Sequence, residues 1–447
     1  MAELIWEGKY KDGKKVAPVR IALPFQTVET VNESAQERQK MLGLFSSGQQ
    51  TEWRNRLIWG DKKYVLPSLL PDFEGKVNLI YIDPPFDTGQ DFSFVSTIPE
   101  FDGESDKEVL EFIKEPSVIE QKAYRDTWGG GLDSYLEWFY ETAVLLRELL
   151  ADDGSIYVHL DVHRGPYVKT VLDEVFGIEN FQNEIAWYYY NKLHDSRKKL
   201  LPKAFDQILY YVKSKSSGYT YHALKEKRDS PVKKLKYKKV GGKIQNVFDE
   251  SGKAITYMSE ERTVDNVWRI RCLQPANKEE RVNFDTQKPV DLIERILSIS
   301  SDENDLVLDC FCGSGSSLVA AERMRRRWIG CDLGRFAIHT TRKRLMQIPN
   351  VRPFVVQNLG KYERQAWQAA EFPVEVGRKE NTEANYRKFI IELYHATPVS
   401  SYTWLHGTKN GRMVHVGAVD APVTLSDVKA IASEVWRAIG TGKDSPK

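Results

Sequence analysis

Cysteine is scarce in this 447-residue chain: Cys272, Cys310, Cys312 and Cys331 are all there is, and no two form a Cys-x-x-Cys pair. That excludes a disulfide framework. Cys310 and Cys312 flank a turn with no histidine or further cysteine beside them, short of the four ligands zinc takes. No metal is expected. No apolar run approaches the roughly 20 residues of a membrane span, and no signal-peptide pattern is present, so a reducing, cytoplasmic setting away from membranes is expected. Net charge is nearly missing too: 64 lysines and arginines against 63 acids leave +1. The dinucleotide fingerprint G-x-G-x-x-G is absent. With 41% hydrophobic and 28% charged residues, what remains is an ordinary globular composition, large enough for two or three domains.

The balanced total hides one uneven block. Between Lys192 and Lys243 stand 16 lysines and arginines against 4 acids. Such blocks are commonly solvated faces, but beside a site that handles nucleobases they suit phosphate.

That site is suggested by Leu79-Ile-Tyr-Ile-Asp-Pro-Pro-Phe-Asp-Thr-Gly89. Val77–Ile82 is the short β-branched run of a buried parallel strand, and it stops at an acid and two prolines. Asp83 therefore sits at a strand's carboxyl end, where open α/β sheets bind ligands. Pro84 and Pro85 stiffen the turn. A carboxylate (Asp83), a carbonyl (Pro84) and a ring (Phe86) held together suit a flat heterocycle with an exocyclic amine. Two acceptors pull the nitrogen toward tetrahedral geometry and free its lone pair for attack. A base in a duplex reaches such a site only by flipping out, at about a few kcal/mol, which stacking of about 1–3 kcal/mol per base offsets. Taken alone, Asp-Pro-Pro is equally well a plain turn.

A second motif decides between the two. Asp305–Asp309 reads as a strand, Cys310-Phe-Cys-Gly-Ser-Gly315 as a glycine turn, Leu318–Arg325 as a helix and Arg327–Cys331 as the next strand, closed by Asp332. Strand, glycine turn, helix, strand and an acid about 20 residues on is the pattern that holds an adenosine. With only Gly313 and Gly315 present, a nucleoside without pyrophosphate fits best, S-adenosylmethionine foremost.

Around these motifs, helices are expected at Thr30–Leu44, Leu132–Leu150, Tyr167–Phe176, from Pro289 to Ser300, near Ala384–Tyr394 and at Ser426–Ile439. Strands are expected at Asn55–Asp61, Ser155–Leu160, Glu184–Tyr190, Gln207–Val212 and Arg412–Gly417. A long polar loop, a candidate lid, fills Asp87 to Gly131. The alternation is that of a doubly wound sheet, lost from about Ser214 to Arg281.

In their order, Asp83-Pro-Pro-Phe86, Thr286-Gln-Lys-Pro289 and Asp309-Cys-Phe-Cys-Gly-Ser-Gly-Ser-Ser317 resemble the permuted β-class amino-methyltransferases of DNA. Together with Leu149-Leu-Ala-Asp-Asp-Gly-Ser-Ile-Tyr-Val-His159, they look most like the modification (Mod) subunits of type III restriction systems and their solitary relatives. The resemblance covers roughly 55–213 and 265–345. It implies an α/β, Rossmann-like S-adenosylmethionine-dependent methyltransferase fold: a doubly wound mixed sheet with permuted motif order. The catalytic half would be 1–213, with an extension over 1–50, followed by a target-recognition insertion at 214–281 and the cofactor half at 282–358. A small α/β appendage of unknown role would close the chain at 359–447.

Carried over, the resemblance puts Asp83, Pro84, Pro85 and Phe86 on the target amine and base. Phe311, Gly313 and Gly315 surround the cofactor's amino-acid end, and Asp309 and Ser314 of the same motif bind the cofactor with them. Asp332 takes the ribose, Lys288 lies near the carboxylate and Asp61 near the adenine. An acid opening the four-residue motif is typical of adenine N6 enzymes, where cytosine N4 enzymes usually carry serine. Site-specific adenine N6 methylation within a restriction-modification or related defence system is thus expected. Cytosine N4 stands as the alternative, and a catalytically idle DNA-binding specificity subunit as the alternative of another class. Phe284-Asp285 replaces a usual Tyr-Pro and Cys310 a usual proline, without loss of a functional group. Lys233, Lys234, Lys236, Lys238 and Lys239 are the candidates for phosphate contact on double-stranded DNA. A second copy, or a nuclease, helicase or other defence subunit, is the further partner such a chain implies.

Overall fold

A computed structural model describes residues 3–33, 53–85, 94–99, 109–114, 131–192 and 201–360 apart from 278, 283 and 285; beyond these it describes 384, 387–388, 390–391, 396–409, 411–417 and 425–439. Ten strands form one sheet: β1 (Gln26–Val31), β2 (Asn55–Trp59), β3 (Val77–Ile82), β4 (Leu150–Leu160), β5 (Phe181–Tyr188), β6 (Phe205–Val212), β7 (Val267–Arg269), β8 (Leu306–Asp309), β9 (Arg327–Asp332) and β10 (Phe354–Asn358). They lie side by side in the order β7-β5-β6-β4-β3-β8-β9-β2-β10-β1. From β4 to β10 all neighbours are parallel. β6 runs against them, and β1 closes the far edge antiparallel to β10. This is the mixed, doubly wound sheet of a Rossmann-like methyltransferase, with strands from the two ends of the chain interleaved.

The central strands carry no polar alternation, because helices cover both faces. One face packs α1 (Lys62–Phe73), α2 (Leu132–Leu149) and α3 (Gly165–Phe176) on Ile58, Ile80, Ile82, Leu308 and Ile329. The other packs α4 (Val290–Ser300) and α5 (Ser316–Arg323) on Leu57, Leu79, Val307 and Trp328, with Ile338 and Leu345 of α6 (Arg335–Met346) in the same cluster. Fully burying one such side chain is worth about 1.5–3 kcal/mol, so the sheet edge is held by a stiff two-faced core.

Two expectations change, and one helix is added. Thr30 and Val31 lie in β1 rather than in a helix, paired with Val355 and Phe354, while 34–52 lie outside the described residues. A helix, α1, follows β2 although Pro67 and Pro71 stand inside it. Asp61 caps its start and Leu66, Leu69 and Phe73 are buried on its inner face, which offsets hydrogen bonds that proline cannot donate. Within the long loop, Phe94–Pro99 and Val109–Lys114 pair as an antiparallel ribbon; the rest of that stretch is outside the described residues.

Past β6 the chain leaves the sheet as a second ribbon, Lys225–Leu235 against Thr256–Thr263, with a hairpin of Tyr237–Val240 and Lys243–Asn246. It then returns as β7, parallel to β5. Toward the end stand a three-stranded antiparallel sheet (Thr397–Pro398, Gly407–Lys409, Arg412–Val414) and the helix Leu425–Ile439. Glu434 on that helix accepts from the Thr403 and Trp404 amides, at 2.7 and 2.5 Å. Among the described residues no helix is long and apolar enough to cross a membrane.

Candidate active site

Parallel strands put their carboxyl ends on one edge, and here the edge is a row of acids. Asp161 ends β4, Asp83 β3, Asp309 β8, Asp332 β9 and, after Gly60, Asp61 β2. The two motifs are neighbours across the sheet, since Leu79 faces Val307 and Ile80 faces Leu308. Lys288 ties them further. Its ammonium pairs with Asp83 Oδ2, and its carbonyl accepts from Ser316 Oγ at 2.6 Å, where α5 begins. Among the described residues the other carboxylate oxygen, Asp83 Oδ1, is buried with no hydrogen-bond partner. A buried acceptor without a donor costs about 1–3 kcal/mol, so this edge keeps an unmet demand for an N–H. Pro84 is buried beside it; Phe86 lies outside the described residues.

The glycine turn is built from within. Asp309 is 2% exposed, and its carboxylate accepts from the Phe311 amide at 2.9 Å and from the Ser317 hydroxyl. Asp332 accepts from the Gly313 amide at 2.9 Å and the Gly334 amide at 2.7 Å. Thr341 Oγ1 donates to the Gly313 carbonyl at 2.9 Å, and Arg344 donates to the Ser314 carbonyl at 2.8 Å. Gly313 and Gly315 have φ of +51° and +77°, which side chains disfavour. A Cβ on Gly315 would sit 2.6 Å from Thr341. The bend thus presents bare backbone at the mouth of α5, a cradle that fits the amino-acid end of S-adenosylmethionine.

Burial pushes the Asp309 carboxyl up to about 7, aided by the charges of Asp83 and Asp332 and opposed by Ser317 and the Phe311 amide. Because this folded value lies above the unfolded one, the folded chain holds more protons between them. Stability therefore falls as pH rises from about 4 to about 7, each unit of difference being worth about 1.4 kcal/mol. Asp309→Asn is expected to flatten that fall, read from the thermal midpoint across pH 4–8. An unchanged slope would show that Asp309 does not carry it.

The expected site residues divide. Asp83, Pro84, Lys288, Phe311, Gly313, Gly315 and Asp332 gather along the β3–β8–β9 edge. Two expected cofactor residues turn inward instead: Asp309 spends its carboxylate on the turn itself, and Ser314 is 4% exposed with its hydroxyl toward Arg344 at 3.2 Å. Lys288, expected at the cofactor's carboxylate, pairs with Asp83. Asp61 caps α1 by accepting from the Lys63 amide at 2.8 Å, one strand over from Asp332. The five lysines lie apart, exposed on and beside the ribbon and its hairpin.

Sequence reasoning missed the wall behind Phe311. Trp138 of α2 packs on it with centroids 5.4 Å apart, and buried Lys62 lies 4.4 Å over the Trp138 ring. It also missed how His159 connects: the imidazole is fully buried, with Tyr81 Oη 2.9 Å from Nδ1 and Asp206 3.5 Å from Nε2. Burial pushes the Asp206 carboxyl up, but His159, Lys288 and Lys203 outweigh it and hold it low. No local pattern announces such contacts, because each joins separate elements.

A Rossmann-like sheet carrying an acid-proline turn beside a glycine turn defines a methyltransferase that uses S-adenosylmethionine. The chain belongs to the N6/N4 DNA methylase family, which matches residues 77–343. It is 28% identical over 340 residues to the type II methyltransferase M.EcaI of Enterobacter cloacae, covering 65% of this chain and 69% of that one. It is 25% identical over 260 residues to the DNA adenine methyltransferase YhdJ of Escherichia coli, covering 58% and 72%. Similarity to the EcoP15I Mod subunit of Escherichia coli is 29% over 182 residues, 37% of this chain and 26% of that subunit; the chain spans about a quarter of its length.

Proposed function

We propose that the chain is a site-specific DNA methyltransferase acting on the N6 amine of a flipped-out adenine, within a restriction-modification or related defence system. The observation that carries the reading is Asp83 Oδ1, buried and without a hydrogen-bond partner among the described residues, on the strand next to the glycine turn. Asp83 and the Pro84 carbonyl each accept one N–H of the amine, and Phe86 stacks on the base. The bound cofactor supplies a methyl group on a sulfonium sulfur, an electrophile that leaves a neutral thioether. The amine's lone pair forms the new N–C bond, so no base is needed before attack, and the extra proton leaves the nitrogen afterwards by way of Asp83. Gly313, Gly315 and Phe311 hold the cofactor's amino-acid end, Asp332 orients its ribose and Asp61 stands near its adenine.

The acid in the first motif position supports adenine over cytosine, and so does the name of the YhdJ relative. Nucleoside analysis of DNA incubated with the chain and labelled cofactor is the test. N6-methyladenine is expected, and N4-methylcytosine in its place would overturn the choice of base. Absence of label from any DNA would favour the idle specificity subunit.

A further inference from the structure

The lysine block is not a uniform charged surface. From Ser230 to Phe248 the chain carries six lysines and no acid, and large apolar side chains stand exposed among them. Tyr237 is 62% and Ile244 67% exposed. Exposed apolar groups clustered on a protruding element mark a contact surface rather than solvated charge. The ribbon's root is fixed to the body along α4: Glu226 pairs with Arg262 at 2.5 Å and with Arg295 of α4 at 3.4 Å. The His222 amide donates to the Ile299 carbonyl of the same helix at 2.7 Å. Its outer hairpin ends in Gly241-Gly242, both at positive φ (+57° and +80°) with open space where a Cβ would be. This is a slim two-residue turn.

Register then sorts the hairpin's side chains. Tyr237 lies opposite Asn246 and Lys239 opposite Ile244, while Lys238 lies opposite Gln245 and Val240 opposite Lys243. Cross-strand partners share a face and successive residues alternate. One face therefore holds Tyr237, Asn246, Lys239 and Ile244. The other holds Lys238, Gln245, Val240 and Lys243.

We propose that this hairpin enters the major groove of the substrate duplex, with the Tyr237–Asn246–Ile244 face reading base edges and Lys238 and Lys243 on its back gripping phosphates. The inference rests on the DNA methyltransferase reading and adds its specificity determinants. The major groove is about 12 Å wide and admits a two-stranded ribbon. Asn246 brings the amide that pairs with adenine's N6 and N7 edge, and Ile244 and Tyr237 bring apolar surface for thymine methyls. The face with the more exposed apolar side chains is the one that gains from being covered, since the opposite face offers only Val240, at 47%. Lysine charge without acids supplies the complementarity to DNA and carries no sequence information by itself.

The test expresses the full chain in a host and maps methylated bases across its genome, first for the unaltered chain and then for variants. Asn246→Ala and the pair Tyr237→Ala with Ile244→Ala are expected to relax the recognition sequence at one or two positions, about a 10- to 100-fold loss of discrimination each. Lys238→Ala with Lys243→Ala should leave the sequence intact, weaken binding evenly, and lower the slope of log affinity against log salt by about one per lysine. Deleting 237–246 keeps the proposal testable if a point variant misfolds: cofactor binding persists and sequence preference is lost. A recognition sequence unchanged in the reading-face variants, or one changed by the lysine variants instead, overturns the proposal. No methylation by the unaltered chain would overturn the enzyme reading itself.

Discussion

Asp83→Ala abolishes methyl transfer while the cofactor still binds within about tenfold of its original affinity. The two outcomes separate because the residue sits on one motif and the cradle on the other. Among the described residues the hydrogen bonds that shape the glycine turn come from Asp309, Asp332, Thr341 and Arg344, and Asp83 reaches it only through Lys288. Losing the carboxylate removes an acceptor that holds the amine in line, and positioning of this kind supplies several kcal/mol of a barrier, at least a thousandfold in rate. It also takes one charge partner from the Lys288 ammonium, which is 12% exposed, so Asp83→Asn is the companion variant that keeps shape and one acceptor. Labelled methyl transfer and equilibrium cofactor binding are the two readouts. Turnover unchanged in Asp83→Ala would mean that the amine grip is misplaced. Turnover and cofactor binding lost together would mean that Asp83 belongs to the cradle.

The second large effect lies on the neighbouring glycine turn. Gly315→Ala is expected to weaken cofactor binding at least tenfold and to lower stability by roughly 2–4 kcal/mol. Two causes add: the left-handed backbone at φ +77° and a Cβ driven 2.6 Å from both branches of the Thr341 side chain. They are separable. Thr341→Ala alone loses its hydrogen bond to the Gly313 carbonyl, about 0.5–1.5 kcal/mol, yet combined with Gly315→Ala it removes the clash. The double variant should then be more stable than the sum of the singles predicts, as read from denaturant midpoints. Strict additivity would show that backbone strain alone sets the glycine requirement.

How much of this was legible beforehand depends on the range of the interaction. β3 and β9 announced themselves because each is a short apolar run that stops at an acid, and that acid is where the chemistry sits. α2 and α4 showed their apolar spacing and their ends within a single window. α1 was hidden by Pro67 and Pro71, which signal a break to any local reading, while its reason to form is tertiary: Leu66 and Leu69 have a sheet to cover. Only the last two residues of β1, Thr30 and Val31, were read as helix; Gln26–Glu29 carried no expectation, being exposed or polar, and only pairing with β10 makes them strand. At the site, residue types located Asp83 and the glycines. The partners Thr341, Arg344 and Trp138 come from other elements, and no spacing rule in the chain links them to the turn. Asp309 and Ser314 show the complementary limit: membership of a motif does not say whether a side chain faces a ligand or, as the Asp309 carboxylate does, the motif's own backbone.

The interleaving of strands has a consequence for how the protein is born. β2 and β3 follow one another in the chain, yet β8 and β9, made some 230 residues later, lie between them. A nascent polypeptide emerging from the ribosome therefore carries two strands whose adjoining edges cannot meet. The gap fills only when translation has passed Asp332. Until then the long-range closure that joins β2 to β3, the slow part of folding, has not begun, and the unfilled edges are open to wrong pairing. Ribosome-bound chains halted before β8 should be readily cut by protease, and those halted beyond β10 should resist it.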